Sequence, residues 1–269
     1  MTPARLASQG LKGGELAEQN IIVDKKEGIG VITLNRPKVL NALSRDLTRE
    51  LDDAVSDMEA DAEVKVIIFT GSGERAFSAG ADIHEMARIA EDPNPQLPDT
   101  GRGRYAWHIA ACEKPTIGAL NGLAYGGGAV MASTFDIRVG CERTSFKFLA
   151  ASYGRVNSTW SLPMQVGWPV AKELLLTART VEAEEAHRIG LLNHLVPSDQ
   201  LMTKAMELAT QNAANDPRMV QGIKRLMIQD VGAGWEQMLT NEQDAQKGEL
   251  QPTSVEEGFQ QFLERKGRR

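Results

Sequence analysis

Apolar residues along this chain follow two rhythms. In SRDLTRELDDAVSDMEAD (44–61), Leu47, Leu51, Val55 and Met58 recur at helical spacing. That predicts an amphipathic helix with Ser44 as its N-cap. VKVIIFTG (64–71) is a continuous apolar run, the mark of a strand buried on both faces of a parallel sheet. KPTIGALNG (114–122) and DIRVG (136–140) read as further strands. NIIVDKKEGIGVITLNRP (20–37) reads as two short strands around the turn KKEG. Helical patterns separate the strands, so the chain predicts an α/β fold with a largely parallel sheet.

Past residue 197 the alternation stops. Residues 198–216, 217–232, 234–249 and 254–266 all carry helical patterns and no strand candidate follows. The expected organisation is a loose segment over 1–19, an α/β core over 20–197 and a helical region over 198–269. A Pro/Gly-rich stretch, EDPNPQLPDTGRG (91–103), interrupts the core as a long loop.

Composition narrows the function. The 269 residues carry a net charge of −6 and no basic stripe, which argues against a nucleic-acid partner. No apolar run reaches membrane-spanning length, and the first twenty residues lack a signal-peptide hydrophobic region. The two cysteines, Cys112 and Cys141, show no disulfide or metal-ligand spacing. A cytoplasmic protein without a metal is expected.

Glycine clusters supply the candidate chemistry. GSGERA (71–76) follows the strand 64–71 and matches a G-x-G-x-x-A dinucleotide fingerprint, which would make the chain a nucleotide-dependent oxidoreductase. No long helix opens directly after it, and it falls after two earlier strands and a helix. SAGAD (78–82) and AYGGGAVMAS (124–133) each join a strand to a helical pattern. Such junctions leave main-chain N–H groups without partners. Taken singly, each cluster is explained by a tight turn and close helix packing. Taken together, they could aim two N–H groups at one oxygen, an oxyanion hole.

These clusters and their surroundings resemble the enoyl-CoA hydratase/isomerase (crotonase) superfamily. The matching segments are ITLNRPKVLNALS (32–44), VKVIIFTGSGERAFSAGADIHEMA (64–87), KPTIGALNGLAYGGGAVMASTFDIRVG (114–140), LLLTARTVEAEEAHRIGLLNHLVP (174–197) and EEGFQQFLERK (256–266). The resemblance implies a spiral of ββα units, a helical C-terminal trimerisation region, and a homotrimer or dimer of trimers. It implies an acyl-CoA substrate and no cofactor beyond its coenzyme A moiety. The thioester oxygen would lie between the N–H groups of Ala81 and Gly127, near a helix start. Lys38, Leu40, Ala81, Asp82, Ile83 and His84 match the CoA-binding segments, and Phe262 and Arg265 match a C-terminal CoA contact.

The chain departs from the family where hydratases carry two glutamates. Val130 and Ala150 stand there, and neither can move a proton. The following segment, GRVNSTW (154–160), brings Arg155 and Asn157 close to Tyr153 as candidate catalytic side chains, with Trp160 beside them. Residues 102–114 add Tyr105, Trp107, His108 and Glu113, with His108 read either as a base or as a helix-surface histidine. Isomerisation, decarboxylation or hydrolytic cleavage of a functionalised acyl-CoA is therefore expected over simple hydration. A CoA-thioester-binding protein without chemistry is the alternative.

Overall fold

The computed structural model describes residues 19–92 and 104–254. Phe262 and Arg265 lie outside the described residues. The chain opens with a hairpin, β1 (Ile21–Lys26) and β2 (Ile29–Leu34), paired antiparallel. Glu27 and Gly28 both take positive φ, the conformation of a tight hairpin turn. Helix α1 (Arg45–Ala60) follows, and the Ser44 hydroxyl accepts from Leu47 N–H at 3.2 Å as the sequence predicts. Its apolar stripe, Leu47, Leu51, Val55 and Met58, is buried.

Three ββα units come next. The strands β3 (Val66–Gly71) and β4 (Ala76–Ser78) lead to α2 (Ile83–Glu91). Helix α3 (Arg104–Ala111) precedes β5 (Thr116–Leu120) and β6 (Leu123–Tyr125), which lead to α4 (Gly127–Ala132). The strands β7 (Ile137–Gly140) and β8 (Ser145–Lys147) lead to α5 (Leu162–Thr177), kinked at Gly167. In each unit the first strand joins one sheet and the second joins another. The result is a six-stranded sheet ordered β1-β2-β3-β5-β7-β10 and a four-stranded sheet ordered β4-β6-β8-β9. Here β9 is Thr180–Glu182, β10 is His194–Leu195, and α6 (Ala183–Arg188) lies between them.

Side-chain alternation along β3 feeds two cores. Ile67 and Phe69 face α1 and the second sheet, where they meet Leu47, Leu51 and Phe77. Val66 and Ile68 face α7 (Leu201–Ala213) and pack with Leu201, Ala205 and Ala209. Both faces of the strand are therefore dry, which is why its sequence reads as an unbroken apolar run. Beyond α7, α8 (Pro217–Gln229) and α9 (Trp235–Lys247) complete a helical region without a strand among the described residues.

Candidate active site

The site begins with a strained corner before α1. Leu40 and Asn41 both have positive φ, which is uncommon for residues other than glycine. The buried Asn41 side chain holds this corner. Its Oδ1 accepts from Arg36 N–H at 2.9 Å, and its Nδ2 donates to the carbonyls of Ser72 at 3.0 Å and Ala76 at 2.9 Å. The corner brings Leu43 alongside Ala81 in an isolated parallel bridge. There Leu43 N–H donates to Gly80 O at 2.8 Å, and Asp82 N–H donates to Leu43 O at 3.1 Å. Residues 80 and 82 make the bonds, so the Ala81 N–H is turned to the opposite side.

Gly127 is the first residue of α4, and a first-turn N–H has no partner within its own helix. The two junctions approach as closely as bare backbone permits. A Cβ on Gly80 would come within 2.7 Å of Gly127 N, and φ at Gly80 is +88°. A Cβ on Gly128 would lie 2.3 Å from Ser78 O. A Cβ on Gly127 would lie 3.6 Å from Ala81 N and 3.3 Å from the Tyr105 hydroxyl. Both amides therefore border the same small space. With only six residues, α4 is short, so local N–H donors rather than a long helix dipole characterise this corner.

That space opens into a cavity of about 1110 Å³. Ala81, Gly127, Tyr153, Arg155 and Asn157 all line it, as do Ile83 and Ala150. The structure thus brings the five candidate catalytic residues to one chamber. Val130 is buried one turn into α4, and Ala150 forms part of the wall. The 150–157 turn is drawn together by Arg155 N–H donating to Ala150 O at 2.8 Å. Trp160 meets Trp107 edge-on at 5.6 Å and ties this segment to α3. Next to Asn157, Ser158 has a φ of +57°. Asn157 Oδ1 and Ser158 Oγ are the buried side-chain polar atoms lacking a hydrogen-bond partner among the described residues.

The remaining positions divide. Asp82 caps α2: its carboxylate accepts from Glu85 N–H at 3.1 Å and from Arg36 at 2.9 Å. Burial alone would raise the Asp82 pKa, but these two donors outweigh it and hold the carboxyl below its usual range. His84 is exposed on α2. Lys38 and Leu40 line a second cavity of about 290 Å³ with Ser72, Gly73 and Glu74. Residues 38–43 therefore run from the smaller cavity to the larger. Downstream of Gly71 the chain enters β4 instead of a helix, so GSGERA offers no helix N-terminus to a pyrophosphate.

His108 lines the large cavity, but both ring nitrogens are engaged. Nδ1 lies 2.7 Å from Asp52 Oδ1 and Nε2 lies 2.8 Å from Glu59 Oε2. Burial alone would lower its pKa, but the two carboxylates outweigh that and raise it. It is clamped between two carboxylates and joins α3 to α1, neither a free base nor an unpaired surface histidine. Cys112 is buried, and that burial, reinforced by Glu59, pushes its thiol up to about 12. It is no nucleophile at neutral pH. Asn41 and the buried Asn121 escaped the sequence reading. A polar residue inside an otherwise apolar segment was the available signal for both.

The fold and this corner define a class: stacked ββα units that turn two main-chain N–H groups onto one chamber. Comparison with known proteins gives the class its family. The sequence model of the enoyl-CoA hydratase/isomerase family matches residues 24–268. The short-chain-enoyl-CoA hydratase of Clostridium acetobutylicum is 37% identical over 219 residues, which is 79% of this chain and 84% of that protein. The crotonyl-CoA hydratase of Syntrophomonas wolfei is 33% identical over 254 residues, covering 93% and 97%. The crystal structure of an enoyl-CoA hydratase from Bacillus anthracis superposes with a TM-score of 0.80 at 31% identity, covering 92% of this chain and 97% of that one. The chain belongs to the enoyl-CoA hydratase/isomerase family.

Proposed function

We propose that the protein is an enzyme acting on acyl-CoA thioesters. The thioester oxygen is held between the N–H groups of Ala81 and Gly127, and these donors stabilise the enolate that forms when charge moves onto that oxygen. One observation carries this reading: two main-chain amides from separate segments, both turned away from secondary-structure pairing, border one space in the large cavity. In such a site each donor aimed at a developing oxyanion is worth about 10²–10³ in rate. Lys38, Leu40 and Ile83 are assigned to the CoA portion, with Asp82 supporting the loop from beneath.

The enolate's fate is set by the other walls. The carboxylates lining the cavity among the described residues are Asp52 and Glu85. Asp52 is held by His108, and Glu85 accepts from Arg45 N–H at 2.9 Å. With Val130 and Ala150 apolar, this supports isomerisation, decarboxylation or hydrolytic cleavage of a functionalised acyl group rather than addition of water to a 2-enoyl-CoA. Arg155 and the unpartnered Asn157 oxygen are assigned to the acyl substituent.

Self-association is assigned to copies of this chain meeting through the helical C-terminal region, as a trimer or pair of trimers. Ile223, Met227, Trp235 and Leu239 expose apolar surface there, which supports the assignment. Among the described residues no helix is long and apolar enough to cross a membrane.

The test is solvent deuterium exchange at the α-carbon of bound acyl-CoA, with product analysis on crotonyl-, 3-enoyl-, 3-keto- and malonyl-type thioesters. Exchange with turnover of a class other than crotonyl supports the reading. Efficient hydration of crotonyl-CoA overturns the reaction assignment. Tight binding with neither exchange nor turnover establishes a thioester-binding protein instead.

A further inference from the structure

Tyr105 lies on α3, which packs against α4 beside the junction that carries Gly127. Its hydroxyl donates to the Gly127 carbonyl at 3.4 Å, a long and therefore weak hydrogen bond. A methyl group on Gly127 would lie 3.3 Å from that hydroxyl and 3.6 Å from Ala81 N. The space beside this glycine is thus bordered by its own amide, the Ala81 amide and the Tyr105 phenol, with Leu43 Cδ1 at 3.1 Å as its apolar wall. Gly127, Ala81 and Tyr105 each line the large cavity.

We propose that Tyr105 is a catalytic residue whose hydroxyl is a third donor to the thioester oxygen. The inference deepens the oxyanion reading and rests on it. The hydroxyl exchanges a poor bond to a neutral carbonyl for a shorter, charge-assisted bond to an oxyanion. Its weak partner makes that exchange cheap. Burial raises the phenol pKa, so the group stays protonated at neutral pH and acts as a donor, never as a base. Tyr153, the other cavity tyrosine, is 66% exposed and lacks this placement.

The probe is acetoacetyl-CoA, a 3-ketoacyl thioester whose enolate is read by ultraviolet absorbance. Bound to the unaltered protein, it should enolise at a lower pH than free in solution. Tyr105→Phe keeps the ring and removes the donor. It should move the midpoint back up by about one pH unit, a tenfold loss of bound enolate at fixed pH. Its α-carbon exchange should fall by about 10²-fold. Affinity for a thioether analogue lacking the carbonyl should stay unchanged. 3-Fluorotyrosine placed at position 105, a stronger donor of nearly equal size, should move the midpoint down and keeps the test open should Tyr105→Phe fold poorly. A midpoint that stays put in both variants overturns the proposal. A lower melting temperature with an unmoved midpoint reduces Tyr105 to a packing role and overturns it equally. If the unaltered protein leaves the ligand's midpoint where it is in free solution, the oxyanion reading itself fails and Tyr105 falls with it.

Discussion

Two glycine-rich turns of this protein begin alike and end differently. Gly71–Gly73 starts on the last residue of β3, and Gly126–Gly128 directly follows β6. At the first turn, distant side chains consume the main chain. Gly71 N–H donates to Asn121 Oδ1 at 3.2 Å, and Asn121 Nδ2 donates to Gly73 O at 2.8 Å. Asn41 takes the Ser72 and Ala76 carbonyls. At the second turn, Gly126 N–H donates to Lys147 O at 2.9 Å, and the next amide is left facing the cavity. Glycine density therefore marks where backbones come close. Whether a ligand can use them depends on which donors the protein has already spent on itself.

Gly127→Ala separates the turns most sharply. The added methyl would meet a movable Leu43 Cδ1 at 3.1 Å while filling the space between the donors. The fold should persist, with stability changed by about 0.5 kcal/mol or less. Exchange at the α-carbon should fall by roughly 10²–10³-fold. Paired denaturation and exchange measurements check it, and wild-type exchange would break the comparison. Gly71→Ala should do the reverse. Its methyl would lie 2.7 Å from Ala76 O and 2.8 Å from Phe77 O, both main-chain atoms that cannot yield singly. A loss of about 1–3 kcal/mol in urea unfolding is expected, with exchange per folded molecule nearly retained.

The smallest effect belongs to His108, which lines the cavity but serves the scaffold. Its pKa is raised in the folded protein. The clamp's stabilisation is therefore complete below the ordinary histidine value of about 6.5 and is lost as pH rises through the higher folded value. Melting curves from pH 6 to 9 should show a decline that His108→Gln lacks. Identical pH profiles would remove the clamp from the account of stability.

Much of the scaffold was legible in the chain. The run 64–71 announces a strand dry on both faces, and the stripe of α1 announces a helix lying on a core. Ser44 as cap was readable because its chemistry is local. Two glycine-rich strand–helix junctions were readable as possible amide donors, but the assignment to Ala81 and Gly127 in particular came through family resemblance, since a free amide leaves no letter in a sequence. What stayed hidden is long-range. Asp52 and Glu59 sit two turns apart on one face of α1, but only the packing of α3 across them clamps His108 between the two carboxylates. Likewise Asn121 is 50 residues from the amide it satisfies.

The bridge between Leu43 and Ala81 has a consequence for how such a protein can change. Because residues 80 and 82 bond to Leu43, the outward-turned amide at 81 belongs to the polypeptide rather than to any one amino acid. Drift at that codon leaves the amide in place so long as an imino acid is avoided. Novelty can therefore accumulate at positions such as 150, 155 and 157, which could be diversified in a library while the main-chain amide at 81 is inherited unchanged.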